Sequence, residues 1–258
     1  MLPRARRAAR LSALAGGVLV AAVALTGCGT ADADEATPEH KAFALSGREL
    51  TVDTDNSAIE LVPASGNGKD VQVTRWFDGW SVGGETGVSW EMEGGDTLKL
   101  RMKCRGLSVD CEAKHKIEVP RGVAVTVKGR NGEIKARDFE TALTVRTSNG
   151  AVDVRDAKGP VELRTSNGAI TAEGLRASKV KATTSNGQVR IGLDRVPDEV
   201  RTTASNGATR ITLPRAPYKV DAKAGNGSVS VDVPRDDASR HEVIAHSGNG
   251  AIEVRTAG

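Results

Sequence analysis

The sequence predicts an all-β chain wound as a parallel β-solenoid, and three observations carry that reading. An Asn-Gly pair returns at Asn131, Asn149, Asn167, Asn186, Asn206, Asn226 and Asn249, at spacings of 18, 18, 19, 20, 20 and 23 residues. Around each pair lie two short runs that alternate apolar and polar residues, the pattern of half-buried strands. Aromatic residues make up only 3% of the chain, which suits a thin two-layer core of Val, Ile, Leu and Ala. A fixed period of about 20 residues with two strands in each is the signature of stacked repeats.

Residues 1–27 read as a secretory leader and stand apart from the fold. "MLPRARRAAR" is basic, "LSALAGGVLVAAVAL" is apolar but short for a permanent span, and "LTGC" at 25–28 resembles the bacterial lipobox. That resemblance implies cleavage before Cys28 and diacylation of that cysteine, so that Cys28 is the lipid attachment site. The expected location is extracytoplasmic, anchored to the outer face of the bacterial cytoplasmic membrane. Without the leader's four arginines, 32 basic residues face 33 acidic ones. The basic pI therefore belongs largely to the leader, and no clustered basic face remains to indicate a nucleic-acid partner. Residues 28–43 are polar, with no apolar periodicity, and read as a lipidated flexible tether.

Residues 44–120 form an irregular β region that caps the repeats. "RELTVDT", "SAIELV", "KDVQVTRWF", "TGVSWEME", "DTLKLRMK" and "HKIEVP" alternate like strands. "DNSAIELV" at 55–62 looks like a degenerate repeat, with Ser57 in the glycine position. Outside the cytoplasm, Cys104 and Cys111 read as a disulfide that closes a short turn. Trp76, Trp80 and Trp90, with Phe77, gather in this half. They read either as rings that shield the open mouth of the core or as a candidate ligand shelf that stacks on sugars.

From 121 to 258 the repeats are continuous with that cap. One unit cannot stand alone. Its four inward aliphatics contribute about 1.5–3 kcal/mol each, against roughly 1–2 kcal/mol of backbone entropy for every residue ordered. Asn-Gly admits two architectures. In an antiparallel meander each pair is a hairpin turn; in a solenoid each is a corner, and the amides of successive corners stack and bond as Asn ladders do. The ladder and the difficulty of an open sheet of fifteen or so strands favour the solenoid, with the meander as the alternative. The recurring "TSNGAVDV", "TSNGAIT" and "SGNGAIEVR", with "GDTLKLRMKC" and "IEVPRGVAVTVKGRNGEI" upstream, resemble the DUF4097 family of bacterial β-strand-repeat proteins, which are described as adhesin-like. The resemblance covers residues 45–256 and implies a β-solenoid in an extracytoplasmic setting, with no catalytic motif.

The residues themselves show no catalytic grammar. The third residues after each corner glycine (Lys135, Asp153, Thr171, Arg190, Arg210, Ser230 and Glu253) should stack in one outward column, and that column gathers no pair of acids for glycoside chemistry. His40, His115, His241 and His246 are scattered, without metal-ligand spacing. No cofactor, metal or catalytic residue is expected. The reading is a non-enzymatic, lipid-anchored binding or scaffolding protein of the envelope, with an envelope protein or cell-wall glycan as partner. The alternative is a glycan-binding or carbohydrate-active β-helix that uses the aromatic cluster. Since no cap follows "AIEVRTAG", the C-terminal edge is expected to be open to self-association.

Overall fold

The computed structural model describes residues 31–258. The leader, the Cys28 attachment site and the first residues of the expected tether lie outside the described residues. The N-terminal part holds β1 Glu39–Phe43, β2 Glu49–Thr54, β3 Ala58–Pro63, β4 Val71–Val82, β5 Glu85–Glu93, β6 Thr97–Arg105 and β7 Ser108–Val119. The repeats then follow as pairs about each corner. These are β8 Ala124–Lys128 with β9 Ile134–Arg137, β10 Leu143–Asn149 with β11 Val152–Arg155, and β12 Val161–Asn167 with β13 Ile170–Leu175. Next come β14 Lys179–Asn186 with β15 Val189–Leu193, and β16 Glu199–Asn206 with β17 Thr209–Leu213. Last are β18 Lys219–Asn226 with β19 Val229–Asp232, and β20 Glu242–Asn249 with β21 Ile252–Thr256.

The first member of each pair joins a ten-stranded sheet, here sheet B, and the second an eleven-stranded sheet, sheet A. Neighbouring repeats pair in parallel, with Asn149 beside Asn167 and Asn167 beside Asn186. The chain is thus a solenoid and not a meander. Identical strand positions stack: Val145, Leu163, Ala182, Thr202 and Ala245 form one inner column of sheet B. Val154, Ala172, Ile191, Ile211 and Val254 face them from sheet A. All ten are buried, and alternation along each strand leaves the intervening polar residues outside.

The corner explains the threonine, asparagine and glycine of "TSNG". Each asparagine donates from Nδ2 to the Oδ1 of the neighbouring asparagine, Asn167 to Asn149 at 2.8 Å and Asn206 to Asn186 at 2.9 Å. The column begins at Asn56, to which Asn131 donates, so the degenerate repeat at 55–62 carries a true rung. The glycine is needed because adjacent coils nearly touch. A side-chain carbon at Gly168 would lie 2.0 Å from the Gly150 carbonyl oxygen. At Gly207 the same crowding combines with φ of 143°, a conformation that only glycine adopts readily. The threonine points inward and ties its coil to the previous corner: Thr165 Oγ1 donates to the Gly150 carbonyl and Thr184 Oγ1 to that of Gly168, both at 3.2 Å.

Both ends of the stack depart from sequence order. The last coil, β20–β21, lies between β16–β17 and β18–β19, so Asn249 accepts from Asn226 and donates to Asn206. The longest corner spacing, from Asn226 to Asn249, spans the loop that makes this return. Buried Tyr218 fastens the loop: its amide donates to the Pro234 carbonyl, its carbonyl accepts from Asp236, and its ring packs edge-on to His241. The expected C-terminal edge is therefore an interior position, and β18 and β19 form the edge instead. At the other end, β2–β3 sits between β8–β9 and β6–β7.

The N-terminal cap closes with antiparallel strands: β4 on β7, β1 on β4, and β5 on β6. The tether expectation fails where it meets this cap. Residues 39–43 are strand β1, because Phe43 has a buried seat beside Trp90 and Glu39 is held by Arg75. Upstream, Ala33 is also buried.

Gly168→Ala is expected to destabilise the fold by about 3 kcal/mol, because the added carbon must push two coils apart. Asn167→Ala removes two exposed amide bonds and should cost only about 1–2 kcal/mol. Urea unfolding of the two variants should rank them in that order.

Candidate functional site

The asparagine corners hold coil to coil. Each amide is occupied by its neighbours in the column, from Asn56 to Asn226. The outer strand faces carry the charged side chains. On sheet A the column Glu60, Lys135, Asp153, Thr171, Arg190, Arg210, Glu253 and Ser230 stacks as its spacing implies. Its charges are largely paired within the face, Arg137 with Glu60, Arg155 with Asp153 and Arg210 with Glu253. A groove of about 230 Å³ on this face is lined by Glu60, Lys135, Arg137, Asp153 and Arg155, and the first two of those pairs bridge it.

Sheet B differs. Lys128, Arg146 and Arg164 lie side by side in register on three successive coils. Like charges directly opposite on neighbouring strands repel. Arg146 shares Glu162, which also lies 3.8 Å from Lys181. Lys128 and Arg164 have no ion pair among the described residues. The result is a row of three cations spaced by one strand, about 4.8 Å, with Asp53 in register at its Lys128 end.

The three tryptophans do not form one shelf. Trp90 faces inward from β5, edge-on to Phe43, with the Arg75 guanidinium 4.1 Å from its ring centroid. Trp76 and Trp80 lie on the opposite, outward side of β4, since buried Val73 and Arg75 occupy its inner side. Lys114 reaches over the Trp76 ring at 5.8 Å. The shelf reading of Trp76, Trp80 and Trp90 is corrected accordingly; Trp90 alone shields the core.

Beside Trp76 and Trp80 the outer face of β4 and β7 gathers three carboxylates that the sequence reading missed. Asp110 accepts from the Ala31 amide at 2.8 Å, Asp78 from Asp32 at 3.0 Å and Glu112 from Ala33 at 3.1 Å. Lys114 pairs with Asp34. The chain's own residues 31–34, an irregular turn segment, thus lie across these acids. The available signal was the alternation of Asp110 and Glu112, which puts both on one face.

The cysteine pair is joined, with Cα atoms 6.2 Å apart. Cys104 belongs to sheet B and Cys111 to sheet A, so the bond links the two layers. Among the described residues no three His, Cys, Asp or Glu side chains gather as metal ligands. His40 bonds Thr74, His241 meets the Pro197 carbonyl and His246 meets Asp221. His115 is buried in the cap beside Arg75, and neither ring nitrogen has a protein partner. Burial, helped by the Arg75 charge, pushes its pKa down to about 4.

A family model described as Toastrack DUF4097 matches residues 47–257. Among solved structures, an adhesin candidate from Parabacteroides distasonis is 16% identical, with a TM-score of 0.48, over 85% of this chain and 98% of its own. An adhesin candidate from Parabacteroides merdae is 11% identical, with a TM-score of 0.45, over 86% of this chain and 96% of its own. A cell adhesion protein candidate from Clostridium sporogenes is 16% identical, with a TM-score of 0.37, over 86% of this chain and 100% of its own. No curated protein matches the chain.

The His115 shift sets a pH dependence. The folded state prefers the neutral ring, so its contribution is complete above the unfolded value of 6.5 and is lost as pH falls from there toward 4. The full loss is about 3 kcal/mol. His115→Leu should flatten the stability profile between these pH values, as followed by urea unfolding at each pH.

Proposed function

The chain belongs to the Toastrack DUF4097 family, and from that premise we propose a lipid-anchored, adhesin-like binding protein of the bacterial envelope that carries out no chemical step. The partner is an anionic polymer of the cell wall, held along the outer face of sheet B. One observation carries this reading: the cation row of Lys128, Arg146 and Arg164, repeated in register on successive coils. Such a row costs the isolated protein repulsion and matches a partner whose negative charges also repeat along a line. The layer-linking disulfide fits an oxidising compartment, and the lipobox at 25–28 supplies the anchor through Cys28.

Purified protein should sediment with anionic wall polymers at low salt and release them as salt is raised, since exposed charges are screened. The double substitution Lys128→Ala, Arg164→Ala should weaken binding about tenfold with an unfolding midpoint that is no lower, since it relieves repulsion in the row. Equal binding by this variant would overturn the assignment of the face. Soluble fragments released from the polymer would overturn the non-enzymatic reading. Cys28→Ser should move the protein from the membrane fraction to the soluble fraction, and retention on the membrane would overturn the anchor.

A further inference from the structure

Strands β4, β5, β6 and β7 do not stop at the asparagine corner as the repeats do. Thr54, at the end of β2, pairs with Leu100, and Ala58, at the start of β3, with Lys114. Beyond that level β6 runs on to Arg105 and β7 begins at Ser108, with β5 and β4 alongside. The corner at Asn56 is level with Met102, so three further residues of β6 strand, Lys103–Arg105, project about 10 Å past it. This finger is stiff. Cys104 and Cys111 tie its two layers, and the Leu107 amide donates to the Val82 carbonyl at 2.9 Å.

Its tip is apolar. Of the four exposed large apolar side chains among the described residues, three are here: Leu107 at 92% exposure, Val82 at 55% and Val109 at 41%. Exposed Lys103 and Arg105 stand just behind them on β6, with Glu85 opposite Arg105. The nearest acids on the other layer, Asp78, Asp110 and Glu112, are engaged by the backbone amides of residues 31–33. An apolar tip followed by cations is the layering of a membrane interface, with hydrocarbon outermost and basic groups at the level of anionic headgroups.

The chain itself says which surface this tip meets. Asp110, next to Val109, holds the Ala31 amide at 2.8 Å. Cys28 is three residues before Ala31, a reach of at most about 11 Å for extended chain. We infer that the disulfide-tied finger inserts its Val82, Leu107 and Val109 tip into the outer leaflet beside the lipid anchor, as a second membrane contact that fixes the orientation of the solenoid. This inference rests on the acylation of Cys28 proposed above.

The test uses the full chain made in bacteria and reconstituted into vesicles of phosphatidylglycerol and phosphatidylethanolamine. Nitroxides are placed through Leu107→Cys or, at the far end of the stack, Val229→Cys. The label at 107 should be about threefold less accessible to a water-soluble nickel chelate than the label at 229, and more accessible to oxygen. Nickel access at 107 equal to that at 229 overturns the insertion. Shielding of 107 from both reagents indicates a protein contact and also overturns it. The intact mass of Cys28 separates the two readings, because an acylated chain with an aqueous tip sinks only the finger. Should Cys28 carry no lipid, flotation of the same chain with phosphatidylglycerol vesicles decides. Flotation that Leu107→Asp abolishes keeps the finger as a contact without the anchor, and no flotation removes both.

Discussion

Coil meets coil at a glycine with no room for a side chain. The Gly150 carbonyl stands where a side chain on Gly168 would have to be, and that contact sets the distance at which everything else in the repeat is built. At that distance the asparagine amides bond in a column, the inward threonine reaches the carbonyl of the coil before, and aliphatic positions stack like upon like. The asparagines stabilise the column, but they are exposed and individually modest. The glycines are the stricter requirement, because a clash with backbone has no rotamer by which to escape.

The same geometry decides where recognition can occur. Amides that face one another along the column spend one donor and one acceptor each on holding coil to coil. What repeats and stays unsatisfied is on the strand faces, and sheets A and B treat their charges differently. Sheet A pairs most of them across and along strands, as Arg155 does with Asp153, although Arg190 lies beside Arg210. Sheet B stacks Lys128, Arg146 and Arg164 with too few acids between them.

The repeat was legible in the sequence because its cause is local. Asn-Gly spacing, alternation about each corner and the scarcity of rings all report a short-range rule, and even the degenerate rung at Asn56 followed it. What escaped depends on partners distant in sequence. Nothing local distinguishes β1 from a tether, since its place depends on a seat beside Trp90 that β5 provides. Trp76 and Trp90 looked like neighbours until strand register put them on opposite sides of a layer. The order of the end coils was equally hidden, although the 23-residue interval before Asn249 was its one visible trace.

That exchange of order has a mechanical meaning. A stack laid down strictly in sequence can peel from its last turn, each detached coil leaving the next one exposed, like a zipper. Here the C-terminal coil is held on both sides, by β16–β17 and by β18–β19. The two coils leave differently: β18–β19 detaches as a loop still tethered at both ends, whereas release of β20–β21 opens a gap in the middle of two sheets. Opening from this end therefore begins with β18–β19, and β20–β21 stays covered on both sides until that coil has gone.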